Sequence, residues 1–189
     1  MMAWLGVTAT MAATGFLQDF TSTPPRVVFA IVPSFLMVAF VATRSAAGTW
    51  LDRKPLHTLI APQSFRIVME LVLWMLFLDG KLASLLTFEG RNFDIIAGLG
   101  AVAATSLLRR NSSAVMSIVY NVIGVLLLLN VTVHGLGSTP TVLRFIVTDP
   151  PNIIMATWPM VWLPAFVVPA AYLMHFLSIR QAIRKNLNE

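Results

Sequence analysis

Four long stretches of this chain carry no Asp, Glu, Lys or Arg: residues 1–18, 27–43, 111–143 and 150–179. A helix needs about 20 apolar residues to cross the roughly 30 Å hydrocarbon core of a bilayer, and each stretch reaches or approaches that length. A soluble domain of 189 residues, 57% of them hydrophobic and 11% charged, could not hide so much apolar surface. A transmembrane β-barrel would alternate apolar and polar residues over short segments, whereas these stretches are continuous. The expected fold class is therefore all-α, a polytopic transmembrane helical bundle that forms a single integral membrane domain over residues 1–189.

The apolar periodicity and the loop punctuation predict six spans, at about residues 2–18, 27–44, 58–78, 93–109, 114–134 and 158–179. Pro24-Pro25 precedes the second, Gly135, Gly137 and Pro140 follow the fifth, and Pro150-Pro151 precede the sixth. An even number of crossings places both termini on one side. Arg44, Arg53, Lys54, Arg109, Arg110, Arg180, Arg184 and Lys185 fall on that side, against Arg26, Lys81, Arg91 and Arg144 on the other. By the positive-inside rule the termini are cytoplasmic. The first segment reads as an anchor rather than a cleaved signal, because no Lys or Arg precedes it.

The formal charge of +5 does not point to nucleic acid, since the basic residues are scattered singly or in pairs with no basic face. The absence of cysteine excludes disulfides, thiolate chemistry and Cys-ligated metal. No lysine lies inside an expected span, so a retinal Schiff base has no attachment point. Phosphate loops, zinc-protease patterns and nucleophile elbows are also missing. The partners implied are the lipid bilayer and, in the alternative readings, a second copy or a larger membrane protein.

Arg66 and Glu70 are the strongest chemical signal, because they stand four residues apart within the third span and so share one helical face. Ionised groups in hydrocarbon face a bundle interior, a wet cavity or a partner. Two readings are open: an intrahelical ion pair that locks packing, or a ligand site or proton relay. Asn121 and His175 lie at compatible depth in the fifth and sixth spans and complete a candidate pocket of Arg66, Glu70, Asn121 and His175. In that pocket Arg66 would hold an anionic group while Glu70 titrates or pairs with it. His175 and His57, on the same side, also allow a haem with two histidine ligands. Ser64 with Glu70 and His175 could be imagined as a hydrolase triad, which nothing in the spacing favours.

The outer connection TFEGRNFD, residues 87–94, is dense in polar groups for so apolar a chain. Asn92 or Asp94 suits the N-cap of the fourth span; the other reading makes Glu89, Arg91, Asn92 and Asp94 a gate or a docking loop. Ala97, Ala101 and Thr105, with Gly100 and Ala104 beside them, form a small-residue face that admits another helix closely. Pro159, Pro164 and Pro169 each remove a backbone donor from the last span. The freed carbonyls would meet either neighbouring helices or a ligand.

The stretches PQSFRIVMELVLW (62–74), TFEGRNFD (87–94) and WPMVWLPAFVVPAAYLMH (158–175) resemble small multi-pass bacterial membrane proteins of no established activity. The resemblance covers about residues 55–180 and implies the bacterial inner membrane, with no functional residue carried over. Three functions are consistent with these observations. The leading one binds or moves a small molecule or ion through the intramembrane pocket. The second is a structural or regulatory subunit of a larger complex. The third is a membrane enzyme, either a haem redox subunit or a hydrolase.

Overall fold

In apolar surroundings a backbone must satisfy its own polar groups, which a helix does within a single segment. The computed structural model describes residues 2–44, 46–51 and 53–188, and every regular element among them is helical. Helix α1 (Met2–Ala13) is followed by a 3₁₀ turn, Phe16–Gln18. Gly15 leads into that turn at φ 74°, a left-handed backbone that suits glycine. Helix α2 (Val28–Arg44) and the short α3 (Ala46–Leu51) come next. Helix α4 (Leu56–Ile60) tightens through the 3₁₀ turn Ala61–Ser64 into α5 (Phe65–Leu78); Pro62 in that turn has no N–H to continue a regular helix. Helices α6 (Asp94–Arg110) and α7 (Ala114–Ser138) follow. A π turn, Leu163–Val167, leads into α8 (Val168–Asn188).

Helical segments stand at all six expected positions, yet only three runs are long and apolar enough to cross a membrane: Leu56–Leu78, Ala114–Ser138 and Leu163–Lys185. The other three fall short for physical reasons. At 1.5 Å per residue α1 rises about 18 Å and α2 about 26 Å. Helix α6 opens on Asp94 and closes on Arg109 and Arg110, so no span-length window within it is free of charge.

Several boundaries differ from expectation: α1 ends at Ala13 rather than residue 18, and α8 runs on to Asn188 rather than 179. The last long run begins at Leu163 rather than residue 158, after a stretch of turns around Pro159. Helix α7 continues through Gly135 and Gly137, which were expected to end it. At Gly137 a Cβ would stand 2.5 Å from Cζ of Phe145, so the absent side chain is what lets the following connection fold back on the helix.

Prolines in the last run are absorbed by neighbours. Pro169 cannot donate to the carbonyl of Ala165 four residues earlier. That carbonyl instead accepts a hydrogen bond from Ser34 Oγ on α2. Trp162 Nε1 donates to Leu5 O of α1 at 3.1 Å. Ala12, Leu17, Ala30, Val161 and Ala165 fill the space between these elements.

Side chains of α8 gather the connections that carry most of the basic residues at one end of the bundle. Arg180 donates to Ala42 O, Gln181 to Lys54 O, and Lys185 to Ser112 O at 2.7 Å. The α6–α7 connection, the end of α2 and the segment before α4 therefore share that end. The small-residue face of α6 is used inside the chain: Ala101, Ala104 and Leu108 pack with Leu56, Ile60, Ala114 and Ala182. That face is closed to a docking helix.

Candidate functional site

Helix α5 presents Arg66 and Glu70 to the bundle interior, where they are 1% and 2% exposed. Helix α6 crosses it almost backbone to backbone. A Cβ on Gly98 would lie 2.7 Å from Ile67 Cγ1 and 2.9 Å from Ile67 N. Asp94, one turn before Gly98, is brought against Arg66 by this approach. Arg66 Nε donates to Asp94 Oδ2 at 2.6 Å and Nη2 donates to Oδ1, the parallel two-pronged geometry in which guanidinium and carboxylate match best.

The remaining guanidinium nitrogen fixes a tautomer. Arg66 Nη1 lies 3.0 Å from His175 Nε2, and because arginine only donates, Nε2 accepts. The ring proton then sits on Nδ1, which donates to Asn121 Oδ1 at 2.8 Å. Asn121 Nδ2 donates in turn to Ser117 O at 2.7 Å and to Ser178 Oγ at 2.8 Å. His175 has room only because Gly124 lies opposite, where a Cβ would stand 2.3 Å from ring Cε1.

Glu70 is held differently. Its Oε1 accepts from Asn92 Nδ2, and Asn92 also donates to Leu86 O at 3.1 Å. Asn92 Oδ1 accepts from the N–H of Asp94, the first residue of α6, at 3.1 Å; the N-cap expected at Asn92 or Asp94 falls instead on Phe93, which makes no side-chain capping bond. Glu70 Oε2 has no hydrogen-bond partner among the described residues. Beside it lies a cavity of about 20 Å³ lined by Arg66, Asp94, Leu73, Leu128 and Val168, room for about one water. The Arg66–Glu70 ion pair expected from their spacing does not form. Asp94 takes the guanidinium fork by meeting it in plane, leaving two carboxyl groups and one cation in the same buried site.

The four residues placed in one pocket by sequence, Arg66, Glu70, Asn121 and His175, do share one site. Asn92 and Asp94 join it from the connection, whereas Glu89 and Arg91 remain at the surface. Glu89 Oε1 accepts from Trp74 Nε1 at 2.6 Å, and the carbonyl of Arg91 accepts from Asn130 Nδ2 at 2.5 Å, which ties the connection to α5 and α7. Asp94, His175 and the Gly124 carbonyl take four of the five N–H donors of Arg66, which leaves a single N–H for an anion in this arrangement. The haem pairing of His57 with His175 does not fit: both ring nitrogens of His175 are engaged, and His57 stands half-buried on α4. Ser64 Oγ donates to Ala61 O at 2.9 Å, within its own turn. No group of three or more His, Asp or Glu among the described residues is placed to hold a metal ion.

Sequence reasoning missed Gly98, Gly124, Ser117 and Ser178. Their spacing held a signal, since Ser117, Asn121 and Gly124 recur at helical intervals on one face of α7, as His175 and Ser178 do on α8.

These features define an all-helical protein with three helices long and apolar enough to span a bilayer and a buried, charged hydrogen-bond network between them. The chain belongs to the family described as domain of unknown function DUF8737, whose model matches residues 24–183. No curated protein and no solved structure matches it.

Proposed function

We propose that this is a bacterial inner-membrane protein with six crossings and both termini in the cytoplasm, and that it binds or moves a proton or small cation at Glu70. The gathering of basic connections at one end of the bundle supports the orientation. The shorter helices α1, α2 and α6 complete the six crossings by tilting little and letting flanking residues reach the interfaces.

The observation that carries the reading is Glu70 Oε2, buried and unpartnered beside a completed Arg66–Asp94 pair. An ionised carboxylate with no cation in apolar surroundings costs several kcal/mol. Glu70 therefore holds a proton or takes up a cation. A packing role accounts for Arg66, Asp94, His175 and Asn121, none of whose buried polar atoms lacks a partner among the described residues. It leaves Glu70 unexplained.

Proteoliposomes containing a pH-sensitive dye test the proposal. An imposed pH or cation gradient should drive a dye response with the native protein and none with Glu70→Gln, which keeps the shape and loses the titrating group. Equal responses from both proteins would overturn the transport half of the reading.

A further inference from the structure

A helix leaves its last four carbonyls without donors of its own. The connection after α7 supplies all four. Asn152 Nδ2 donates to Gly135 O at 2.9 Å and Thr139 N to Leu136 O at 3.2 Å. Phe145 N and Ile146 N donate to Gly137 O at 3.1 and 2.9 Å, and Asn152 N donates to Ser138 O at 3.3 Å. Arg144 turns back in the same way, its Nε donating to Ile146 O at 3.2 Å and its Nη2 to Thr148 O at 3.3 Å. Residues 139–152 therefore form a strap pinned across the end of α7, with its polar groups tied inward.

What the strap exposes is apolar. Val142, Leu143, Phe145 and Val147 are 68–87% exposed, more than any large apolar side chain of α7, where Val115 reaches 63%. Carbonyls in water need no protein donor, whereas carbonyls next to lipid do. Satisfied carbonyls beneath outward apolar side chains are thus the arrangement that lipid contact demands. The level agrees. Placed across a bilayer, the 25 residues of α7 rise about 37 Å, slightly more than the roughly 30 Å hydrocarbon core, so the helix ends at the membrane surface. Phe145 is held beside Gly137 at that end. The other end of α7 lies with the basic connections, where Lys185 meets Ser112 and α6 closes on exposed Arg109 and Arg110.

We propose that the strap is an interfacial anchor, whose side chains Val142, Leu143, Phe145 and Val147 insert among the lipids of the leaflet opposite the basic connections. Its partner is the boundary between headgroups and acyl chains, the zone that amphipathic interfacial segments occupy. Asp149, exposed just beyond Thr148, marks where the strap returns to water. The anchor rests on α7 being a span and is independent of what Glu70 binds.

The chain has no cysteine, so single-cysteine variants of the full chain each carry one probe. Val142→Cys, Val147→Cys and Asp149→Cys, all at exposed positions, are labelled with the fluorophore NBD and reconstituted in phosphatidylcholine vesicles. Leu126→Cys, at the middle of α7 on its exposed face, is the reference for the span. Probes at Val142 and Val147 should emit at shorter wavelength than the probe at Asp149. They should be quenched by lipid bearing a nitroxide near its headgroup and not by aqueous iodide, which should quench at Asp149. The Leu126 probe should respond to a nitroxide deep in the acyl chain. Iodide quenching at Val142 and Val147, with the Leu126 probe still in lipid, would overturn the anchor and leave the span standing. Iodide quenching at Leu126 as well would overturn both. Strap probes shielded from iodide and nitroxide alike would overturn the lipid assignment, because a second copy or another protein then covers the strap.

Discussion

Arg66 and Asp94, 28 residues apart in sequence, meet as a two-pronged ion pair whose arginine is almost wholly buried. The pair joins α5 to α6, and through His175 it also joins α8 and α7.

Removing one member of such a pair leaves the other charge buried and unmatched. Arg66→Met should therefore destabilise the protein by about 3–5 kcal/mol. The double variant Arg66→Met/Asp94→Leu should recover much of that loss, because it removes both charges and keeps apolar volume. Thermal or denaturant unfolding in detergent reads both effects. A double variant as unstable as the single one would show that the network holds the bundle through more than charge matching.

Gly124 predicts a steric result. A methyl group there would overlap His175, whose ring is held at both nitrogens and cannot swing away. Gly124→Ala should cost about 1–3 kcal/mol by overpacking. Gly6→Ala on α1, where nothing lies within 4 Å of the added carbon, should be neutral or slightly stabilising. Comparing the two melting temperatures separates local crowding from a general intolerance of glycine replacement.

Asp19, in the connection before α2, offers a pH test away from the buried site. The Thr21 hydroxyl and the Ser22 backbone donate to its carboxylate, with Arg26 alongside, and together they hold it below its ordinary value of 3.8. A carboxyl lowered in the folded state stabilises it fully above the unfolded value, and that stability is lost as pH falls through the folded one. Thr21→Val should raise the Asp19 midpoint toward 3.8 in an NMR titration and weaken the pH dependence of stability below that value. Stability near neutral pH should lose only the small contribution of an exposed hydrogen bond.

How much of this could be read from the chain follows from which signals are local. Apolar runs and proline punctuation located helical segments at six positions, because both act within one segment, although α1 stops short of its expected end and α8 runs past it. Arg66 and Glu70 announced a buried site for the same reason. Which carboxylate Arg66 would choose was not legible. Spacing favoured Glu70, and the outcome was set by the close crossing of α6 at Gly98, a contact between elements far apart in sequence. Asn92 and Asp94 looked like loop residues because helix capping and burial leave the same sequence trace. The small residues of α6 indicated close packing correctly but could not show that the neighbours were this chain's own α4, α7 and α8.

Glu70 carries the central claim, and infrared difference spectroscopy of the protein in nanodiscs tests it most directly. At neutral pH the native protein should show either the carbonyl band of a protonated carboxyl or a carboxylate band that shifts on adding a small cation. Both should vanish in Glu70→Gln. A native spectrum that matches the Glu70→Gln spectrum in those bands at every pH and with every cation tried would contradict the account, and would reduce Glu70 to a packing residue.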